Sequence, residues 1–264
     1  LLDWLAVEFA ESGWNVKALQ KQIVLSAAYR QSSRRLPDDK AGTSAIDDPD
    51  NRRLSRGPRR RLSARQLRDQ ALFVSGLLND EIGGASVNPY QPEGLWDEMS
   101  NMKYRQSVGK DLYRRGLYTF WKRTVAPPGL AVLDAADRES CTVRPKRTNT
   151  PLQALTLLNE TTFVESARHL AANLLSSRPP DQFIPEAFRR TTSRRPTDRE
   201  LKVLTQTLSD LADNYREHPE SAEQVLSVGE SKPSAAPGTD KADMAAAAML
   251  CNVLLNLDEA VSIE

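Results

Sequence analysis

Residues 150–175, TPLQALTLLNETTFVESARHLAANLL, decide the fold class. Thr150 is placed to cap a helix, with Pro151 as its first residue and Gln153 as its capping-box partner. Proline suits that position because its missing N–H would have had no partner there. Leu152, Leu155 and Leu158 follow at helical spacing. Thr162 and Glu165 read as a second capping box, opening a helix to about Leu175 with Phe163, Ala167, Leu170 and Leu174 facing inward.

Working outward, the same grammar recurs. Ser63 with Gln66 is a capping box for a helix to about Asn79, with Leu67, Ala71, Val74 and Leu78 as its buried stripe. Phe183 to Thr191 forms a further helix, and Thr197 with Glu200 caps another. In that one Leu201, Leu204, Leu208, Leu211 and Tyr215 recur at steps of three and four, the narrow stripe of a helix packed along a neighbour. Ser221 to Gly229 is one short helix, and Lys241 to about Asn256 a largely buried one. At the front, Leu1 to Ala10 and Val16 to about Arg30 form a helical hairpin, with Asn15 capping the second arm. Leu112 to Arg123 reads either way; Leu117, Phe120 and Trp121 fit a helix face, the aromatic richness would suit a strand, and the helical surroundings favour helix. Pro127 and Pro128 end it.

The expected architecture is mostly α, a multi-helix domain of packed helical hairpins with long irregular loops. Residues 1–264 are read as a single α-helical domain, the C-terminal fragment of a larger protein. Its parts are a hairpin (1–31), a loop (32–61), central helices with an arginine/aromatic loop (62–180), and C-terminal helices (181–264) interrupted by a flexible loop at 229–240.

The net charge of +1 hides an asymmetry. Arg30 to Arg68 holds twelve Lys/Arg against five Asp/Glu, whereas Glu200 to Glu264 holds four against twelve. The two ends could attract each other or face different partners. A hydrophobic content of 39% and a mean hydropathy of −0.53 describe a polar chain that can still bury a core. No apolar run is long enough to span a membrane. Cys141 and Cys251 cannot make a disulfide framework, and a single bridge between them is left open.

With only His169 and His218, two-histidine zinc motifs are excluded and no metal site is expected. The sequence has no CxxCH haem attachment, no GxSxG, no phosphate-binding GxxxxGK[ST] loop and no GxGxxG. No catalytic residue can be named. What is present is arginine with aspartate. Arg114, Arg115, Arg138, Arg144 and Arg147, with Trp121 as an apolar wall, are the anion-binding candidates, because a planar guanidinium holds carboxylate, phosphate or sulfate in two bonds. A competing reading has these arginines locking a loop-rich region to aspartates and helix ends. Asp134 and Asp137 are the acid candidates for paired-carboxylate chemistry, though aspartates at such spacing also serve as turn formers. The basic run from Arg52 to Arg68 lacks interleaved aromatics and a docking motif, so a solvated basic face is favoured over nucleic acid.

The segments LLDWLAVEFAESGW, IVLSAAYRQSS, RRRLSARQLRDQAL, DLYRRGLYTFWKR, CTVRPKRTNTPLQALTLLN and LLNLDEAV together resemble a planctomycete domain of unknown function. That family forms the C-terminal end of exported proteins that carry a cytochrome-c-like domain. The resemblance runs from Leu1 to about Val261; one departure is Gly116, where the family leads one to expect serine or a better helix former. It implies an extracytoplasmic setting (periplasmic or cell surface). It also implies no cofactor in this chain, haem if any lying upstream, and partners among the upstream cytochrome-c-like and uncharacterised domains of the same polypeptide. The function expected is a non-catalytic binding or interaction domain that docks on those domains and presents an arginine/aromatic surface to an anionic ligand such as a saccharide. The alternative is a hydrolase-like or redox-linked module acting on sulfated polysaccharide.

Overall fold

The structure is a computed structural model and describes residues 1–33, 50–52, 54, 56–97, 103–122, 124–137, 139, 141–143, 146–232 and 238–263. It is mostly α, with eleven α-helices among the described residues and one two-stranded sheet, Arg60–Arg61 (β1) with Ser262–Ile263 (β2). No helix among the described residues is long and apolar enough to cross a membrane. Two compact units are present, Leu1–Arg60 with Ile263–Glu264, and Arg61–Ser262.

The first unit holds α1 (Leu2–Glu11) and α2 (Val16–Leu25). Gly13 and Trp14 turn the chain with φ of +72° and +61°, and the Trp14 ring meets Phe9 edge-on at 5.2 Å. Asn15 caps α2 as expected, its Oδ1 accepting from the Ala18 N–H at 3.0 Å. The helix ends at Leu25, short of the expected Arg30, where Ser26 turns extended. Neither helix buries a single residue.

The second unit is built around α10 (Lys241–Leu255). Its sequence is apolar all round, and such a helix must be covered on every side. The helices α6 (Thr161–Ser177), α8 (Asp198–Glu217) and α9 (Pro219–Ser227) cover it. The alanines 245–248 let those helices approach closely, and Leu250, Cys251 and Leu254 are fully buried. Burial raises the Cys251 thiol's pKa, and both cysteines are free. Asn252 and Asn256 of α10 donate to the Leu158 and Ala154 carbonyls at 2.9 and 3.3 Å. The first of these bonds satisfies one of the last four carbonyls of α5 (Pro151–Asn159) before the chain enters α6.

The remaining elements are α3 (Ala64–Ser75), α4 (Pro128–Val132), α7 (Phe183–Thr192) and α11 (Asp258–Val261). The Ser63–Gln66 capping box forms, and α3 stops four residues before the expected Asn79 because Gly76 turns left-handed at φ +81°. The Thr197–Glu200 box also forms. Two expectations fail. Thr162 and Glu165 are not a capping box, since Glu160 is the cap and accepts from the Thr162 N–H at 3.1 Å. The Leu112 to Arg123 segment is not an α-helix among its described residues, with Arg123 lying outside them. It makes two 3₁₀ turns, Gly109–Tyr113 and Gly116–Tyr118, and isolated bridges Asn79–Arg114 and Val87–Thr119. The cause is tertiary: Gly116 donates to the Asp69 carboxylate at 2.6 Å and lies against Arg65, where a Cβ would come within 3.2 Å of its side chain. The expected loop at 32–61 lies largely outside the described residues, as does the middle of 229–240.

After α7, Ser193 turns left-handed and Arg194 closes a clasp. Its guanidinium holds Glu200 at 2.6 and 2.9 Å and Glu259 at 2.7 and 2.9 Å, and stacks over Phe188. Hydrogen bonds from Arg194, then from the Thr197 N–H and hydroxyl, hold Glu200 at a pKa of about 2 against 4.5 for a free glutamate. A carboxylate whose folded pKa is depressed adds stability above its unfolded value and loses it as pH falls through the folded one. The clasp is therefore complete above about pH 4.5 and lost by about pH 2. We expect Glu200→Gln to flatten the fall of Tm across that window; a slope equal to wild type would remove the assignment.

Candidate functional site

Arg114 is buried, and its guanidinium is spent on backbone. Nη1 donates to the Ala85 carbonyl at 2.9 Å, and Nη2 donates to Glu81 at 3.1 Å and to Gly83. Its face rests on the Tyr118 ring, 3.8 Å from centroid to guanidinium carbon. One side chain thus closes the 81–85 turn, which has glycines at 83 and 84 in the left-handed region. Beneath it lies Arg68 of α3, 5% exposed, which donates to the Leu112 and Arg114 carbonyls at 2.7 and 2.6 Å. Arg68 thus clamps the 109–118 segment, and Arg114, within that segment, clamps the 81–85 turn.

Arg115 and Arg147 are exposed, and Arg138 and Arg144 lie outside the described residues. Trp121 is partly buried and donates its indole N–H to the Asp137 carbonyl at 2.8 Å. The Asp137 carboxylate accepts from the Glu139 N–H at 3.0 Å, an aspartate turn. Asp134, at φ +64°, accepts from the Thr148 N–H at 2.6 Å, the Thr148 hydroxyl at 2.7 Å and the Gln153 amide at 3.0 Å. Burial acts against the charged form, but those hydrogen bonds, with Arg61 nearby, prevail and hold the carboxyl below its ordinary pKa. Gln153, 1% exposed, also donates to the Val132 carbonyl and the Thr148 hydroxyl. It does not reach back to Thr150, so the expected box is only half made: the Thr150 hydroxyl accepts from the Gln153 N–H at 3.3 Å. Among the described residues no three metal-ligating side chains gather.

A second polar cluster is centred on the buried Glu165 and Arg168. Glu165 of α6 has no exposure, and its Oε1 accepts from the Tyr113 hydroxyl at 2.9 Å and from the Ser231 N–H at 2.6 Å. Arg168, one turn on, donates to the Leu226 carbonyl at 3.0 Å and to the Ser231 carbonyl at 2.6 Å. Burial first, then the charge and hydrogen bond of Glu165, push Tyr113 up to about 12.

Two concavities among the described residues are small. A cleft bounded by Arg68, Tyr90, Pro127, Leu133, Glu160 and Phe163 holds about 30 Å³, roughly one water. A void between Leu67, Leu157 and Leu255 holds about 10 Å³. Sites for organic ligands run to roughly 300–1,000 Å³.

The family model described as PSD1, protein of unknown function (DUF1553), matches residues 1–208. The chain belongs to this family. No curated protein and no solved structure matches it. The PSD1 match includes every anion-binding and acid candidate, together with Arg68 and Glu165, and it stops inside α8. Helices α9 to α11 follow it in the chain.

The sequence reads Arg68 as the end of a basic run and Glu165 as a capping-box partner, and neither as a buried polar anchor. For Arg68 a signal was present. The buried residues of α3 are Ala64, Leu67, Arg68, Ala71, Leu72 and Ser75, a helical stripe on which the arginine falls. An arginine on an apolar face demands carbonyl or carboxylate partners. Glu165 gave no such signal, because its partners Tyr113 and Ser231 are distant in sequence.

Proposed function

We propose that this PSD1-family chain is a non-catalytic binding domain of an exported multidomain protein. In this reading it docks on the upstream domains of the same polypeptide, one of them cytochrome-c-like and holding the haem. Its setting is extracytoplasmic, in a planctomycete. The exposed Arg115 and Arg147, with Trp121, offer the surface for an anionic ligand.

The observation that carries the docking is the α1–α2 hairpin. Leu2, Trp4, Leu5, Ala6, Val7, Phe9 and Ala10 make α1 apolar nearly all round, a pattern that belongs to covered helices. Yet Leu1, Leu2, Trp14 and Leu25 each expose more than half their surface, and nothing in either helix is buried. Isolated helices of this length are marginal in water, so their stability must come from packing. Contiguous apolar surface on this scale marks an interaction site. The sequence resemblance supplies the occupant, a preceding domain of the same chain.

The test is amide exchange across Leu2–Glu11 and Val16–Leu25, measured in the full polypeptide and in the 264-residue chain alone. Docking slows exchange in both helices by roughly tenfold or more in the full polypeptide, as expected for segments moved from a fraying to a packed state. Equal rates in the two samples would overturn it. No observation favours the alternative of a polysaccharide-active module.

A further inference from the structure

After α9, residues 228–232 pass over the first turns of α6 and are fastened from three directions. The Ser231 N–H donates to Glu165 Oε1 at 2.6 Å, and Arg168 holds the Ser231 carbonyl at 2.6 Å and its hydroxyl at 3.1 Å. The Glu230 N–H donates to the Tyr90 hydroxyl at 2.8 Å. The Glu230 side chain in turn accepts from the Gly109 N–H at 2.8 Å. Gly229 is what permits this seating. It sits at φ +83°, and a Cβ there would come within 2.3 Å of the Glu165 carboxyl carbon.

The same Glu165 oxygen that takes the Ser231 N–H also takes the Tyr113 hydroxyl. One carboxylate oxygen therefore joins 228–232 to the Gly109–Tyr113 turn, and Glu230 joins them a second time at Gly109. From that turn the contacts continue to the arginine clamps, through Arg68 on the Leu112 and Arg114 carbonyls and Arg114 on the 81–85 turn. Glu165 Oε2, buried, has no hydrogen-bond partner among the described residues, where the carboxylate's bonds are made by the other oxygen.

We propose that residues 228–232 form a strap whose seating on Glu165 sets the position of the 109–118 segment, so that lifting the strap alters how Arg115 and the Arg114-clamped turn are presented. The strap is tied down by a handful of polar contacts at a glycine, whereas the helices around α10 are held by apolar packing. Segments of the first kind open locally at lower free energy than the cores beside them. This inference stands apart from the docking of the hairpin.

Amide exchange of the whole chain tests it with three variants. Gly229→Ala places a methyl group against Glu165 and should unseat the strap. Exchange should then quicken by roughly tenfold in both 228–232 and 109–114, while α8 and α10 keep wild-type protection. Glu230→Ala, at an exposed position, removes only the acceptor for Gly109; it should quicken Gly109 and leave Ser231 protected. Arg168→Lys weakens the hold on the Leu226 and Ser231 carbonyls without removing a bond to the 109–118 segment; it should reproduce the Gly229→Ala pattern more weakly, which keeps the test decisive if the alanine variant fails to fold. Quickening confined to 228–232 would overturn the coupling. Quickening spread evenly into α8 and α10 would overturn the strap as a separate device.

Discussion

Replacing Leu250 by alanine should lower the free energy of unfolding by about 3–4 kcal/mol, the middle of the range for buried leucines. Leu250 is fully buried on α10, the helix that α6, α8 and α9 surround. The cost of such a change depends on how far neighbours collapse into the space left. Here the positions one turn before it on α10 are Ala246 and Ala247, whose single methyl groups cannot reach into it. Urea unfolding should show a lower midpoint with an unchanged slope, because the surface exposed on unfolding is nearly the same. A loss under about 1 kcal/mol would mean that α10 is not the centre of the core.

Arg68→Met should cost about 3 kcal/mol, although methionine fills most of the space and suits a buried helix face. The loss comes from two carbonyls, Leu112 and Arg114, left buried without donors. Each such orphan costs roughly 1–3 kcal/mol. Arg68→Lys should recover less than half of this, since an ammonium on a flexible stem lacks the planar fork that serves both carbonyls at once. Urea midpoints of the three proteins decide it. Full recovery by lysine would show that charge, and not the fork, holds the 109–118 segment.

The helices were legible wherever local chemistry sets them. Ser63, Thr197 and Asn15 each cap the helix that their spacing announces, and the leucine stripe of α8 lies against the core as its period requires. Legibility failed where a side chain is recruited from far away in sequence. Gln153 has the spacing of a box partner, yet its amide nitrogen serves Val132, Asp134 and Thr148, and the side chain so held does not bring its oxygen to the Thr150 N–H. Glu165 likewise leaves the expected box for Tyr113 and Ser231. The segment from Leu112 reads as helical by its leucine and aromatic spacing. Arg68 and Asp69 fasten its backbone from outside, and a chain held by such bonds has no need of its own i to i−4 ladder. Of the candidate site, the richness in arginine was legible, and its geometry was not. Arg114 and its neighbour Arg115 lie in extended backbone between the two 3₁₀ turns, so the first points inward to carbonyls while the second faces solvent.

The two free cysteines give the molecule a built-in chemical gauge. Cys141 is exposed and open to an alkylating reagent in the folded protein, whereas Cys251 lies in the wall between α10 and its neighbours, with a thiol that burial keeps protonated. Thiolate is the reactive form. A maleimide or iodoacetamide pulse should therefore modify one thiol per chain at once and the second only as fast as the helices around α10 part. The rate of that second modification reads the opening of the core directly, with no label to be introduced and no residue to be changed.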